Sequence, residues 1–302
     1  GIPGTAAGGQ DPHVMDYERW NVLMQTFCKR GRYNISKIPE IYDSAKYDLI
    51  QKKTFLDSDL LKRVYALSKE MADVVVPNEY GITSEERWDI GSRICSELLG
   101  KLCRDFSHMR QQSIEEEMEL LEEELDTDDE DFEEQHSTRV THRLAAEFAE
   151  DIKTPERHVR TRIYFTSESH IHALINVLRY GCGSKGFGGN NPVPLISKDG
   201  LQVLEETTEF DYLSQVVFRV FENFDEPPDG PGRFTLDILF SPGAAGEPWN
   251  LKEDESFLPA ANLVTISAHH ANEAPTTTLN ELEQLIFPYA THKRKESIIK
   301  VM

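Results

Sequence analysis

Between residues 157 and 181 the sequence reads RHVRTRIYFTSESHIHALINVLRYG, and side chains able to do chemistry crowd into it. Arg157, Arg160 and Arg162 offer planar guanidinium forks that suit a ligand carrying several phosphates. Glu168 and His170 follow as candidates for a proton donor or a phosphate contact, with His172 two residues further on. An arginine-rich edge strand with surface histidines would have the same composition, so these residues alone leave both readings open. Ser167 and Ser169 raise the possibility of a serine hydrolase, but the sequence has no Gly-x-Ser-x-Gly elbow.

The elements around these residues supply a way to position them. Ile163, Tyr164, Phe165 and Thr166 are β-branched or aromatic and predict a strand, with Arg160 and Arg162 on one of its faces. Ile171, Leu174, Ile175 and Leu178 have the spacing of a helix face; Ser167 or Ser169 would cap its start and Gly181 would stop it. A strand, a polar tip and a helix N-terminus form the arrangement in which α/β proteins bind anions.

The first hundred residues predict helices. Residues 16–30 place Trp20, Leu23, Met24 and Phe27 on one face. Residues 33–48 form a tyrosine-rich connection in which Pro39 interrupts a simple helix; Lys37 and Lys46 could reach a phosphate from it, though packing alone explains the composition. Residues 59–76 predict an amphipathic helix with Leu60, Leu61, Val64, Leu67, Met71, Val74 and Val75 inward, closed by Pro77. Thr83 and Glu86 have the spacing of a capping box, opening a helix that buries Trp88, Ile90, Ile94, Leu98, Leu99 and Leu102 together with Cys95 and Cys103.

Further on, residues 142–152 predict a short helix and residues 183–192 a glycine-rich loop without Walker spacing. Residues 216–224 and 234–240 alternate as a β-hairpin, 263–266 predict a short strand, and 279–287 a last helix. His269 and His270 lack the further ligands that zinc requires. Helices in one block and β-rich structure in the other predict an α/β or α+β arrangement, without internal repeats.

The net charge of −21 looks hostile to an anionic ligand until it is located. Residues 115–134 hold fourteen acids and no base, so the remainder of the chain carries −7. A solvated acidic insertion, at about 110–137, accounts for the imbalance; an acidic docking tail is the functional alternative. No apolar run reaches the roughly 18 residues of a membrane span. Four scattered cysteines without a Cys-x-x-Cys pair predict reduced thiols and a cytoplasmic protein, and residues 1–10 a flexible end without the marks of a signal peptide.

Several longer motifs resemble a known family. They are Lys37-Ile38-Pro39-Glu40-Ile41-Tyr42-Asp43 with Lys46-Tyr47-Asp48; Ala72 to Pro77 (ADVVVP) with Glu79-Tyr80-Gly81-Ile82; the run from Arg157 into Ser167-Glu168-Ser169-His170-Ile171-His172; and Leu239-Phe240-Ser241-Pro242-Gly243. Together they resemble the C-terminal phosphatase region of the diphosphoinositol pentakisphosphate kinases, bifunctional proteins with a kinase domain followed by a histidine-acid-phosphatase-like domain. The resemblance runs from about residue 11 to residue 243, outside the acidic insertion. It implies an α/β, phytase-like core with a helical part, of which residues 11–302 would be the C-terminal portion. It implies removal of the β-phosphate from inositol pyrophosphates through a phosphohistidine, with no cofactor and no metal. His170 would contact the transferring phosphate and Glu168 would be the acid, while Arg160, Arg162, Lys37 and His172 would bind substrate.

The sequence departs from that family's pattern at one point. The nucleophile loop, Arg-His-x-x-Arg-Thr-Pro, is absent; residues 157–162 imitate it but lack one residue and the proline, and they match a later strand. His158 is therefore a decoy. The resemblance implies that an N-terminal remainder of the phosphatase domain, and a kinase domain, act as partners, with no nucleic acid and no membrane span. The competing readings are a non-catalytic module that binds inositol polyphosphate and, further off, a zinc-stabilised scaffold.

Overall fold

The computed structural model describes residues 12–51, 56–125, 161–181, 194–227, 229–251, 258–268 and 277–290. Among the described residues, eight α-helices and two small antiparallel sheets give a mixed α/β fold. Helices α1 (Pro12–Phe27), α2 (Ile38–Ile50) and α3 (Ser58–Glu79) form one layer, in which Ile38, Tyr42, Ala45, Leu49, Leu61, Tyr65 and Ala72 share a core. Two short strands, β1 (Cys28–Lys29) and β2 (Arg32–Tyr33), turn the chain between α1 and α2.

The second, larger core lies between α4 (Ser84–Ile94), α5 (Ser96–Leu125), α6 (Glu168–Tyr180), α7 (Lys198–Glu206) and α8 (Leu279–Ala290) and a three-stranded sheet. That sheet has the order β3 (Gln215–Glu222), β4 (Phe234–Ser241), β5 (Val264–Thr265), all antiparallel, with Phe218 opposite Ile238 in the hairpin. Every residue of β4 except Thr235 is buried, as befits a central strand. Helix α7 comes so close to the backbone at Ile266 that a Cβ on Gly200 would lie 2.3 Å from its carbonyl oxygen.

Several sequence expectations need correction. Residues 161–167 form no strand: the propensity of Ile163 and Phe165 has no neighbouring strand to pair with among the described residues. The polar tip therefore does not stand at the carboxyl edge of a parallel sheet. Pro39 does not interrupt a helix but sits in the first turn of α2, where its missing N–H costs nothing. Helix α3 continues through Pro77, and its buried stripe is Leu61, Tyr65, Ser68 and Ala72. Leu60, Leu67, Met71 and Val74 are exposed, because α2 packs on the side that carries the small residues. Met24 of α1 is exposed as well.

Other expectations stand. The hairpin forms, Cys95 and Cys103 are buried, and the last helix runs three residues beyond its predicted end. The single helix predicted after Thr83 is two, α4 and α5, separated at Cys95. Helix α5 carries the start of the acidic run to Leu125; helix α7 had no prediction. The predicted helix at 142–152, the glycine-rich loop at 183–192 and His269-His270 lie outside the described residues.

The capping box that opens α4 is formed in both directions. Thr83 Oγ1 accepts from Glu86 N at 3.2 Å, and Glu86 Oε2 accepts from Thr83 N at 3.1 Å. Thr83→Ala should cost about 1 kcal/mol of stability in a urea melt, since the N3 amide loses its acceptor. An unchanged midpoint would mean that water replaces the hydroxyl without loss.

Candidate functional site

Helix α6 begins at the polar tip. Ser167 is its N-cap by backbone conformation, but its hydroxyl caps no amide. Instead Ser167 Oγ lies 2.8 Å from Ser169 Oγ and 2.8 Å from His170 Nδ1. A hydroxyl donating to Nδ1 would leave the proton on Nε2, which makes that nitrogen a donor in the first turn of a helix, where the backbone dipole favours anions. Among the described residues nothing takes Nε2.

His172 lies differently. Its ring is sandwiched between Phe210, with centroids 3.9 Å apart, and Tyr80 at 4.6 Å, and it is 8% exposed. Its Nε2 is 3.2 Å from Glu168 Oε1, so it anchors that carboxylate and its ring is buried away from solvent. Arg162 pairs with Asp105 of α5, which also holds the Tyr164 hydroxyl. Lys37 pairs with Glu40 at 2.6 Å on the short turn before α2. Arg160, like Arg157 and His158, lies outside the described residues.

Beside the tip opens a cleft of about 740 Å³, lined from α2, α3, residues 163–166, the start of α6 and the loop before β3. Of the residues singled out for chemistry, Glu168 alone lines it; His170, Arg162 and Lys37 do not. The structure thus joins His172 to Glu168 at the cleft and leaves His170, Arg162 and Lys37 outside its lining.

The cleft has a character that the sequence did not reveal. Its walls carry Asp43, Asp73, Glu79, Glu168, Glu209 and Asp211. Lys46, 3% exposed, is bound by Glu209 at 2.7 Å and by Asp211, so it is a buried counter-ion and cannot reach a phosphate as the sequence allowed. Tyr42 donates to Glu209 at 2.6 Å, and Lys69 spans Asp73 and Glu209 at 3.0 and 3.4 Å. The Asp43 carboxyl reaches solvent through the mouth of the cleft, yet the surrounding walls strip much of its hydration. That loss, with the like charge of Glu168, pushes it up to about 6, against the pull of Lys46. Burial likewise raises Tyr80, to about 12, with Glu168 adding to the shift. Asp43 and Tyr80 were visible as parts of the motifs at 37–43 and 79–82. Glu209 and Asp211 had no local signal, being distant in sequence from Lys46. Among the described residues no three His, Cys, Asp or Glu are placed to hold a metal ion.

The fold is mixed helix and sheet, and the sequence settles the family: the chain belongs to the histidine phosphatase superfamily (branch 2), whose profile matches residues 10–234. Within it, the relatives are inositol hexakisphosphate and diphosphoinositol-pentakisphosphate kinases. The VIP1 protein of Arabidopsis thaliana is 33% identical over 93% of this chain and 29% of its own length. Kinase 2 of Homo sapiens is 35% identical over 80% of this chain and 17% of its own length. The Caenorhabditis elegans protein is 36% identical over 78% and 16%. The chain thus spans less than a third of the length of these relatives. No solved structure matches it.

Proposed function

We propose that this chain is part of a phosphatase domain that removes the β-phosphate from diphosphoinositol polyphosphates, within a protein that also carries an inositol polyphosphate kinase. The observation that carries the reading is His170, held through Nδ1 by Ser167 in the first turn of α6 with Nε2 left for a ligand. A donor there would meet a non-bridging phosphate oxygen as charge develops on it. Glu168, fixed by His172 and open to the cleft, is proposed as the acid that protonates the departing oxygen. The phosphate would pass to a histidine on the missing nucleophile loop, proposed to lie in an N-terminal remainder of the domain, and then to water. Arg160, Arg162 and Lys37 are proposed to hold the outer phosphates, and Arg162 would have to exchange Asp105 for substrate. No cofactor or metal is proposed. Cys28, Cys95 and Cys103 are free thiols, which supports the proposed cytoplasmic setting. No described helix is long and apolar enough to cross a membrane.

The absence of the Arg-His-x-x-Arg-Thr-Pro loop from the sequence favours one alternative, a module that binds inositol polyphosphate without turnover. Phosphorus NMR on the full-length protein with a diphosphoinositol pentakisphosphate separates the two. Loss of the diphosphate signals with growth of inorganic phosphate is expected; broadening without turnover supports the binding module and sinks the hydrolytic reading.

A further inference from the structure

Residues 161–166 carry no regular secondary structure and belong to no ladder among the described residues. Their side chains alternate as in a strand. Arg162 and Tyr164 turn to Asp105 of α5, while Ile163 and Phe165 are left 74% and 95% exposed. An aromatic ring almost wholly in water, on backbone whose N–H and C=O groups are unpaired among the described residues, resembles the surface of a strand without its neighbour. Both side chains line the cleft, and Gln215, the first residue of β3, lines it from the far side. Strand β3 pairs with β4 alone among the described residues, so its other edge is open too.

Leu213, 75% exposed, and Tyr212 complete an apolar rim, and Leu213 stands in the left-handed region at φ +59°, a strained conformation for that residue. Inside the rim are Asp43, Glu79 and Glu168. None of the three has an arginine or lysine at ion-pair distance among the described residues. Unlike Glu209 and Asp211, which Lys46 binds directly, these carboxylates line the cleft with no lysine or arginine in direct contact among the described residues.

We propose that the cleft is a docking surface for an extended polypeptide segment in which apolar residues alternate with arginine or lysine. The backbone of 161–166, unpaired among the described residues, and Gln215 at the start of β3 would supply main-chain hydrogen bonds, Ile163 and Phe165 the apolar contacts. The three carboxylates would select a cationic side chain and repel an acidic one. Docking does not depend on turnover and holds whether or not the chain takes part in phosphate release.

Calorimetry on the whole chain with two synthetic nine-residue peptides tests this, one alternating valine with arginine and the other valine with glutamine. The arginine peptide should bind at least about tenfold more tightly than the glutamine peptide. Phe165→Ser, at a side chain that packs against almost nothing, should weaken it about tenfold without altering the circular dichroism, and the double variant Asp43→Asn/Glu79→Gln should do the same. A pair of acids outside the cleft lining, Asp89→Asn/Glu205→Gln, should leave it within about twofold. Absence of binding, equal binding of both peptides, an inert Phe165→Ser or double variant, or an equal loss in the variant outside the lining would each overturn the proposal; the last would mean that net charge alone attracts the peptide.

Discussion

Changing His170 to alanine should lower the release of phosphate from a diphosphoinositol pentakisphosphate by about 100-fold or more, measured on the full-length protein. The imidazole stands in the first turn of α6 with its Nδ1 bound to Ser167 Oγ at 2.8 Å. Loss of the ring removes a donor already oriented before the phosphate arrives, and the fixed helix N-terminus cannot replace it. Stability should hardly change, because His170 is only half-buried and its one hydrogen bond is to a surface hydroxyl. Ser167→Ala should be milder, about tenfold or less, since it frees the ring without deleting it. Under this assignment the two losses are ordered, His170 above Ser167. Full activity in His170→Ala removes His170 from the site, and an equal loss in both variants would make the hydroxyl the group that matters.

Apart from α7, the helices and the hairpin were legible because their signals are local. The Thr83–Glu86 capping box, the alternation at 216–224 and 234–240 and the α6 stripe each need only neighbours in sequence. Failures occurred where a partner far away decides. Ile163 and Phe165 have strand propensity, but a strand needs a second backbone, and none of the described residues provides one. The stripe of α3 was misread for a similar reason. Leu60, Leu67, Met71 and Val74 are the more apolar residues, yet the buried side is set by Ser68 and Ala72, which let α2 approach closely.

At the tip, the local pattern singled out Glu168, His170 and His172 but not their surroundings. What buries His172 is Tyr80 from the end of α3 and Phe210 from the loop after α7. Neither is near it in the chain, so two histidines of one motif, two residues apart, end in opposite environments. The acidity of the cleft was hidden in the same way. Charge counting pointed to the run at 115–134, whereas the acids that line the cleft are single residues gathered from four elements.

The largest expected effect on stability is at Lys46. Its ammonium is held by Glu209, Asp211 and the face of the Tyr42 ring, and with 4% of its side chain exposed it cannot fall back on water. Lys46→Ala leaves two carboxylates facing each other in a poorly hydrated place, and should cost about 3–5 kcal/mol in a urea melt. Burial disfavours the charge on Lys46, but Glu209 and Asp211 outweigh it and hold the ammonium above the usual lysine range. Burial likewise pushes Glu209 up, and Lys46 with Tyr42 and Lys69 outweighs that and holds it below the usual carboxylate range. A raised lysine stabilises the fold below its ordinary value and stops doing so as pH climbs through the folded one. A lowered carboxylate stabilises above its ordinary value and stops doing so as pH falls through the folded one. The gap between wild type and Lys46→Ala should therefore be widest from about pH 5 to pH 9 and narrow on both sides. Lys46→Met keeps the aliphatic stem and removes only the charge. If it is as unstable as Lys46→Ala, the ion pair holds α2 to the 207–214 loop. If it melts like wild type at pH 7, packing of the stem carries the stability and the electrostatic account of this buried cluster fails.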